Sequence, residues 1–163
     1  MNQPQPVIDT SSLASRDDNL PLALVAGVVA AAIGAALWAV ITVASGWQIG
    51  WMAVGVGFLV GIAIRKLGNG STILFGIIGA VLSLAGCLAG NLLSVVGFIT
   101  REYGTSFLAN LSQLTPPVAV NLLIETGSPM DLLFYGIAVY EGFKLSIAIW
   151  RSEERRVGKE CRS

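Results

Sequence analysis

Glu141 and Lys144, an acid and a base three residues apart in an apolar stretch, are the residues best placed by type and spacing to do chemistry. At i and i+3 on a helix they are neighbours and can pair. Glu141 follows Asp131 by ten residues, or roughly 15 Å of helix at 1.5 Å per residue. With Asp131 at an interface, that rise puts a carboxylate near mid-membrane, where ionisable groups are costly and usually face a partner or a wet path. Two readings follow. One is a structural Glu-Lys pair whose lysine stem snorkels to the nearer surface; the other is an ion or proton site. Asn91 is the second polar residue set in an apolar run, with Ser83, Cys87 and Ser94 at eight, four and three residues from it. Such a stripe can hydrogen-bond across helices, for an average gain of about 0.6 kcal/mol in lipid, or it can line a permeation path.

Whole reaction classes lack their parts. The chain has no histidine. That removes H-E-x-x-H zinc sites, histidine-ligated haem and a base to activate Cys87, which reads as a small packing residue. No P-loop, nucleophile elbow or dinucleotide fingerprint is present, and the glycines sit inside apolar runs instead of after strands. Neither an enzyme nor a cofactor nor a metal site is expected.

The last thirteen residues, 151–163, read RSEERRVGKECRS and resemble the in-frame translation of a short-read sequencing adapter. They are set aside from fold reasoning as a non-native tail, with the native chain expected to reach about residue 150 and its own C-terminal segment missing. Without them the charges are five basic and seven acidic, a net of −2. That is sparse beside the roughly 25% charged residues of soluble domains. No basic stripe exists to hold nucleic acid. Cys87 is left as the single native cysteine, so no intrachain disulfide can form.

The elements that would position these residues are membrane spans. A spanning helix needs about 20 mainly apolar residues. Residues 19–64 carry no charge and divide at Ser45-Gly46-Trp47-Gln48, where turn-forming residues cluster. This gives spans over about 21–44 and 49–64, with Trp47 and Trp51 at the interface between them. Arg65, Lys66 and the Asn69-Gly70 pair mark a wet turn. Ser71 or Thr72 then caps a third span over about 72–100, long enough to tilt or protrude.

Residues 105–126 read as short interfacial helices. Phe107, Leu108, Leu111 and Leu114 form one amphipathic face, and Pro116-Pro117 restarts the chain into a second piece closed by Gly127. Ser128 as N-cap, Pro129 in the first turn and Asp131 at the positive helix end open a fourth span over about 129–150. The expected fold class is therefore all-α, an integral membrane bundle of four transmembrane helices in one domain, 21–150, preceded by a flexible cytoplasmic arm over 1–20.

The positive-inside rule orients the bundle with both termini cytoplasmic, which puts Arg16, Arg65, Lys66 and Lys144 inside and only Arg101 outside. The first apolar run is longer than a cleaved signal peptide's. Small residues recur at contact spacing, at Gly57 and Gly61 in the second span and at Gly86 and Gly90 in the third, and serve either packing inside the bundle or a dimer face. Gly27-Val-Val-Ala-Ala-Ala-Ile resembles Gly76-Ile-Ile-Gly-Ala-Val-Leu, and Gly55-Val-Gly-Phe-Leu-Val-Gly resembles Gly136-Ile-Ala-Val-Tyr-Glu-Gly. These pairs suggest two parallel helical hairpins, although shared apolar composition would also produce them.

The stretch Ser128-Pro-Met-Asp-Leu-Leu-Phe-Tyr-Gly-Ile-Ala-Val-Tyr-Glu-Gly-Phe-Lys144, with Gly46-Trp-Gln-Ile-Gly-Trp51 upstream, is similar to uncharacterised bacterial multipass membrane proteins over most of residues 21–148. The resemblance implies a bacterial inner-membrane location and a four-helix topology, and assigns no functional residue. The small multidrug transporters do not match, because their essential glutamate lies in the first helix and here that helix is uncharged. The expected function is a non-enzymatic helix-packing or partner-binding membrane protein, with the lipid bilayer, a second copy or another membrane protein as partner. The alternative is a small transporter or channel using Glu141, with Asn91 along the path.

Overall fold

A computed structural model describes residues 19–47, 50–69 and 72–147. Residues 1–18 of the expected arm and the 151–163 tail lie outside these residues, while Leu20, the last residue expected in the arm, opens α1. The described chain is all-helical: α1 Leu20–Ser45, α2 Trp51–Gly68, α3 Ile73–Tyr103, α4 Phe107–Ser112, α5 Pro116–Thr126 and α6 Pro129–Ser146.

Helix ends follow local chemistry. α1 stops at Gly46, whose φ of 73° is left-handed and whose N–H donates to the Thr42 carbonyl; glycine adopts that conformation without a Cβ penalty. α2 was expected to end at Ile64 but runs one turn further, through Arg65 and Lys66 to Gly68. Cations in a last turn complement the helix dipole, so leaving the apolar layer does not require leaving the helix. α3 likewise passes Thr100 and closes at Tyr103 before Gly104. α6 opens on a capping box: Met130 N–H donates to Ser128 Oγ at 3.2 Å, and Ser128 N–H donates to Asp131 Oδ2 at 2.9 Å.

α1, α2 and α3 are each long and apolar enough to cross a membrane. α6 carries Asp131, Glu141 and Lys144, and reaches that standard only together with α5, from which it bends by 111°. The two short helices expected between the third and fourth spans are α4 and α5, and both lean on α3.

Each of α2 and α3 packs on α1, on α6 and on the other. Close approaches fix the directions. Gly86 meets Ala31, Gly90 meets Ala35, and Gly97 meets Val43, so α1 and α3 run parallel. Gly57 meets Ala138 and Gly61 meets Leu145, so α2 and α6 are parallel too. Gly27 meets Ile64 and Gly68 meets Ala23, which makes α1 antiparallel to α2; Gly79 meets Ser146 and Gly76 meets Ile147, which makes α3 antiparallel to α6.

The core inverts the soluble pattern. α1 turns Ala23, Gly27, Ala30, Ala31, Gly34 and Ala35 inward and leaves Leu22, Val25, Val29, Ile33, Leu37 and Val40 outside. Lipid solvates large aliphatic groups as well as a core does, so association favours the face where small residues let backbones approach. Trp38 is the one large side chain on α1's buried face, and it is fully enclosed.

Candidate functional site

Thr42, Asn91, Ser94 and Asp131, four of the buried polar residues among those described, gather in the half of the bundle where α1 and α3 end and α6 begins. On α3, Cys87, Asn91 and Ser94 are all buried, as their four- and seven-residue spacing dictates. Ser94 Oγ donates to the Gly90 carbonyl at 2.7 Å, and Cys87 Sγ donates to the Ala53 carbonyl of α2 at 3.7 Å. Ser83, lower on the same stripe, faces Gly142 of α6.

Asn91, 1% exposed, has the Tyr135 side chain as its partner on α6. No hydrogen bond of standard geometry reaches the Tyr135 hydroxyl, which is buried; the same holds for Trp38 Nε1 and Thr42 Oγ1 among the described residues. The Trp38 and Tyr135 rings meet edge-on with centroids 6.3 Å apart, a favourable arrangement of aromatic quadrupoles. One turn before Tyr135, Asp131 is 8% exposed, held by the capping box at the start of α6. A cavity of about 430 Å³ opens over this cluster, roofed by Leu123 and Ile124 of α5. Its size and its mix of aliphatic walls with a few converging polar groups suit a small-molecule site.

The structure does not bring Glu141, Lys144 and Asn91 together. Glu141 lies six residues past Tyr135, about 9 Å along the helix, on the flank of α6 that meets α2 at Gly61. Asn91 faces α6 from α3. The expected Glu141-Lys144 pair does not form either: among the described residues Glu141 has no ion pair, and Lys144 Nζ sits 5.4 Å from the centre of the Tyr140 ring. Tyr140 and Lys144 are one turn apart on the exposed side of α6, whereas Glu141 is half-buried about a quarter-turn away. The ammonium gains a ring face there.

The four glycines singled out by spacing all sit at helix crossings. A side chain on Gly57 would strike the Ala138 backbone, and one on Gly61 would strike Leu145. Gly86 faces Ala31 and Val56, and Gly90 faces Trp38. The sequence reading missed a tighter crossing, Gly79 and Ser83 of α3 against Gly142 and Ser146 of α6. Both are small-xxx-small pairs, so the signal was available. It also missed Trp38, Thr42 and Tyr135. Their four-residue relations to other polar residues (Trp38 to Thr42, Asp131 to Tyr135) could have marked one inward face.

Compared with protein-family models, curated proteins and solved structures, the chain matches none of them.

Proposed function

We propose that this chain is a four-span integral protein of the bacterial inner membrane, with both termini cytoplasmic, that acts without catalysis by binding a second copy of itself. Support for α6 as the fourth span comes from its pairing with α2. The two are parallel and of equal length, 18 residues each, so a membrane that holds α2 also holds α6. The alignment that suggested a repeated hairpin sets Gly55 on Gly136, and at the same 81-residue offset Gly57 falls on Ala138, its own contact in the structure. Equivalent positions of α2 and α6 thus touch, which favours a repeat there, whereas α1 and α3, aligned at an offset of 49, touch at an offset of 55 through Ala31–Gly86 and Ala35–Gly90.

The observation that carries the functional reading is Glu141. It lies at the mid-height of α2, beside Gly61, half-buried at an outer seam and without an ion pair among the described residues. A carboxylate at that depth is stable when paired or wetted. Lys144, exposed three residues on, supplies a counter-charge for Glu141 of a second copy. A two-fold dimer makes such a contact twice, because residue i meets j and j meets i. The transporter reading has less support, since Glu141 and Asn91 face different helices.

The test is energy transfer between separately labelled copies in phosphatidylethanolamine–phosphatidylglycerol vesicles, diluted with lipid. Wild type should associate reversibly. Glu141→Leu and Lys144→Leu should each weaken association by about 1–2 kcal/mol, typical of polar contacts between membrane helices, or roughly 5- to 30-fold. Wild-type protein that stays monomeric at high protein-to-lipid ratio, or association unchanged in both variants, refutes the reading.

A further inference from the structure

We propose that the cavity between α3, α5 and the first turns of α6 is a binding site for a lipophilic cation, an amphiphile with an aliphatic body and one ammonium head. The site is separate from the Glu141 seam and does not depend on it. Three observations carry the assignment.

The first is polarity along the cavity. Leu84, Leu88 and Asn91 line it from one face of α3, at i, i+4 and i+7. Leu84 lies seven residues from Asn91, or about 10 Å. Asp131 and Tyr135 join Asn91 at the polar end, which is the end where α6 starts and the membrane surface is nearer. Leu123 and Ile124 of α5 close the apolar side. A ligand with a head and a tail is therefore oriented as the surrounding lipids are, head outward and tail toward mid-bilayer.

The second is charge. Asp131 is buried and lines the cavity, while no arginine or lysine does. One of its oxygens accepts from Ser128 N–H, and it has no ion pair among the described residues. An anionic head would meet this carboxylate in a low-dielectric site, where like charges repel strongly. A neutral alcohol would leave the carboxylate without a counter-charge. An ammonium compensates it, and aromatic rings at Tyr135 and, behind it, Trp38 add attraction for a cation.

The third is the Tyr135 hydroxyl, buried at this end of the cavity with the Asn91 side chain as its one neighbouring partner and no hydrogen bond of standard geometry among the described residues. Buried polar atoms are nearly always paired, and a head carrying N–H groups, or the water that accompanies it, completes the set.

The experiment uses the full chain in phosphatidylcholine nanodiscs and radiolabelled dodecylammonium, with binding to empty nanodiscs subtracted. Saturable binding is expected, competed by dodecyltrimethylammonium but poorly by dodecanol or dodecyl sulfate. Asp131→Asn should weaken binding by at least about tenfold, as when one member of a buried charge pair is truncated. Leu88→Trp, which fills the apolar end, should weaken it comparably with the charge left in place. Tyr135→Phe keeps the capping box and serves if Asp131→Asn fails to fold, and it should weaken binding by a smaller factor. Non-saturable partition, equal competition by dodecanol, or binding unchanged in both Leu88→Trp and Tyr135→Phe overturns the assignment.

Discussion

The Trp38 indole of α1 meets the Tyr135 ring of α6 edge-on across the bundle interior, with centroids 6.3 Å apart and planes inclined at 65°. These two helices have no broad seam of their own, since α2 and α3 stand between them. The aromatic pair therefore ties the N-terminal half of α6 to α1, and it rests on Gly90, where a side chain would displace the indole. Removing a fully buried tryptophan costs about 3–5 kcal/mol in typical cores. Trp38→Ala should lose that much in a reversible unfolding assay in bicelles. Trp51→Ala, at a position 73% exposed, should stay within about 0.5 kcal/mol.

Glycines of the two kinds should respond in opposite directions. Gly57 faces the Ala138 backbone, which cannot rotate away, and Gly142 faces the Gly79 carbonyl and Ser83. Gly57→Val and Gly142→Val should each destabilise by about 1–3 kcal/mol or more through overpacking. A side chain at Gly136 meets nothing, so Gly136→Ala should stabilise α6 by about 0.5–1 kcal/mol, the difference in helix propensity. Thermal unfolding of the three variants in one detergent decides this, and a destabilised Gly136→Ala would show that this face of α6 is covered.

The α5–α6 elbow hangs on the capping box. Ser128→Ala removes the acceptor for Met130 N–H and should cost about 1 kcal/mol, seen as roughly fivefold faster amide exchange at Met130 and Asp131. Ser128→Thr should restore protection. Exchange in the middle of α6, around Ala138, should not change in either variant.

Most of the helix limits were legible because long apolar runs broken by turn-forming and charged residues set where helices start and stop. The charge-free run from residue 19 to 64, the turn at Ser45–Trp47 and the Ser128-Pro129-Asp131 start all read directly from residue type. Which faces meet was harder to read. Val25 and Ala31 are both apolar, and a hydropathy pattern cannot say that one faces lipid and the other α3. The informative period in α1 is that of size, with Gly27, Ala31, Gly34 and Trp38 on one side. Asn91 was legible as a polar residue that needs a partner, but its pairing with Tyr135 depends on the register between α3 and α6. That register is set by the Gly79–Ser146 and Ser83–Gly142 contacts, which no local signal announces. The Glu141-Lys144 pair was expected from spacing alone, and spacing takes no account of Tyr140, whose ring holds the lysine.

The depth of position 141 tests the central claim, that α6 is the fourth span and presents Glu141 at mid-bilayer. Glu141→Cys, in a background with Cys87→Ala and Cys161→Ser, would carry a nitroxide in vesicles, and its collisions with oxygen and with an aqueous nickel chelate would be compared. Strong oxygen broadening with little access to the chelate, as deep as a label placed at Val60 of α2, is the predicted result. High access to the chelate would contradict it, placing Glu141 in water and removing the reason for a second copy to cover it.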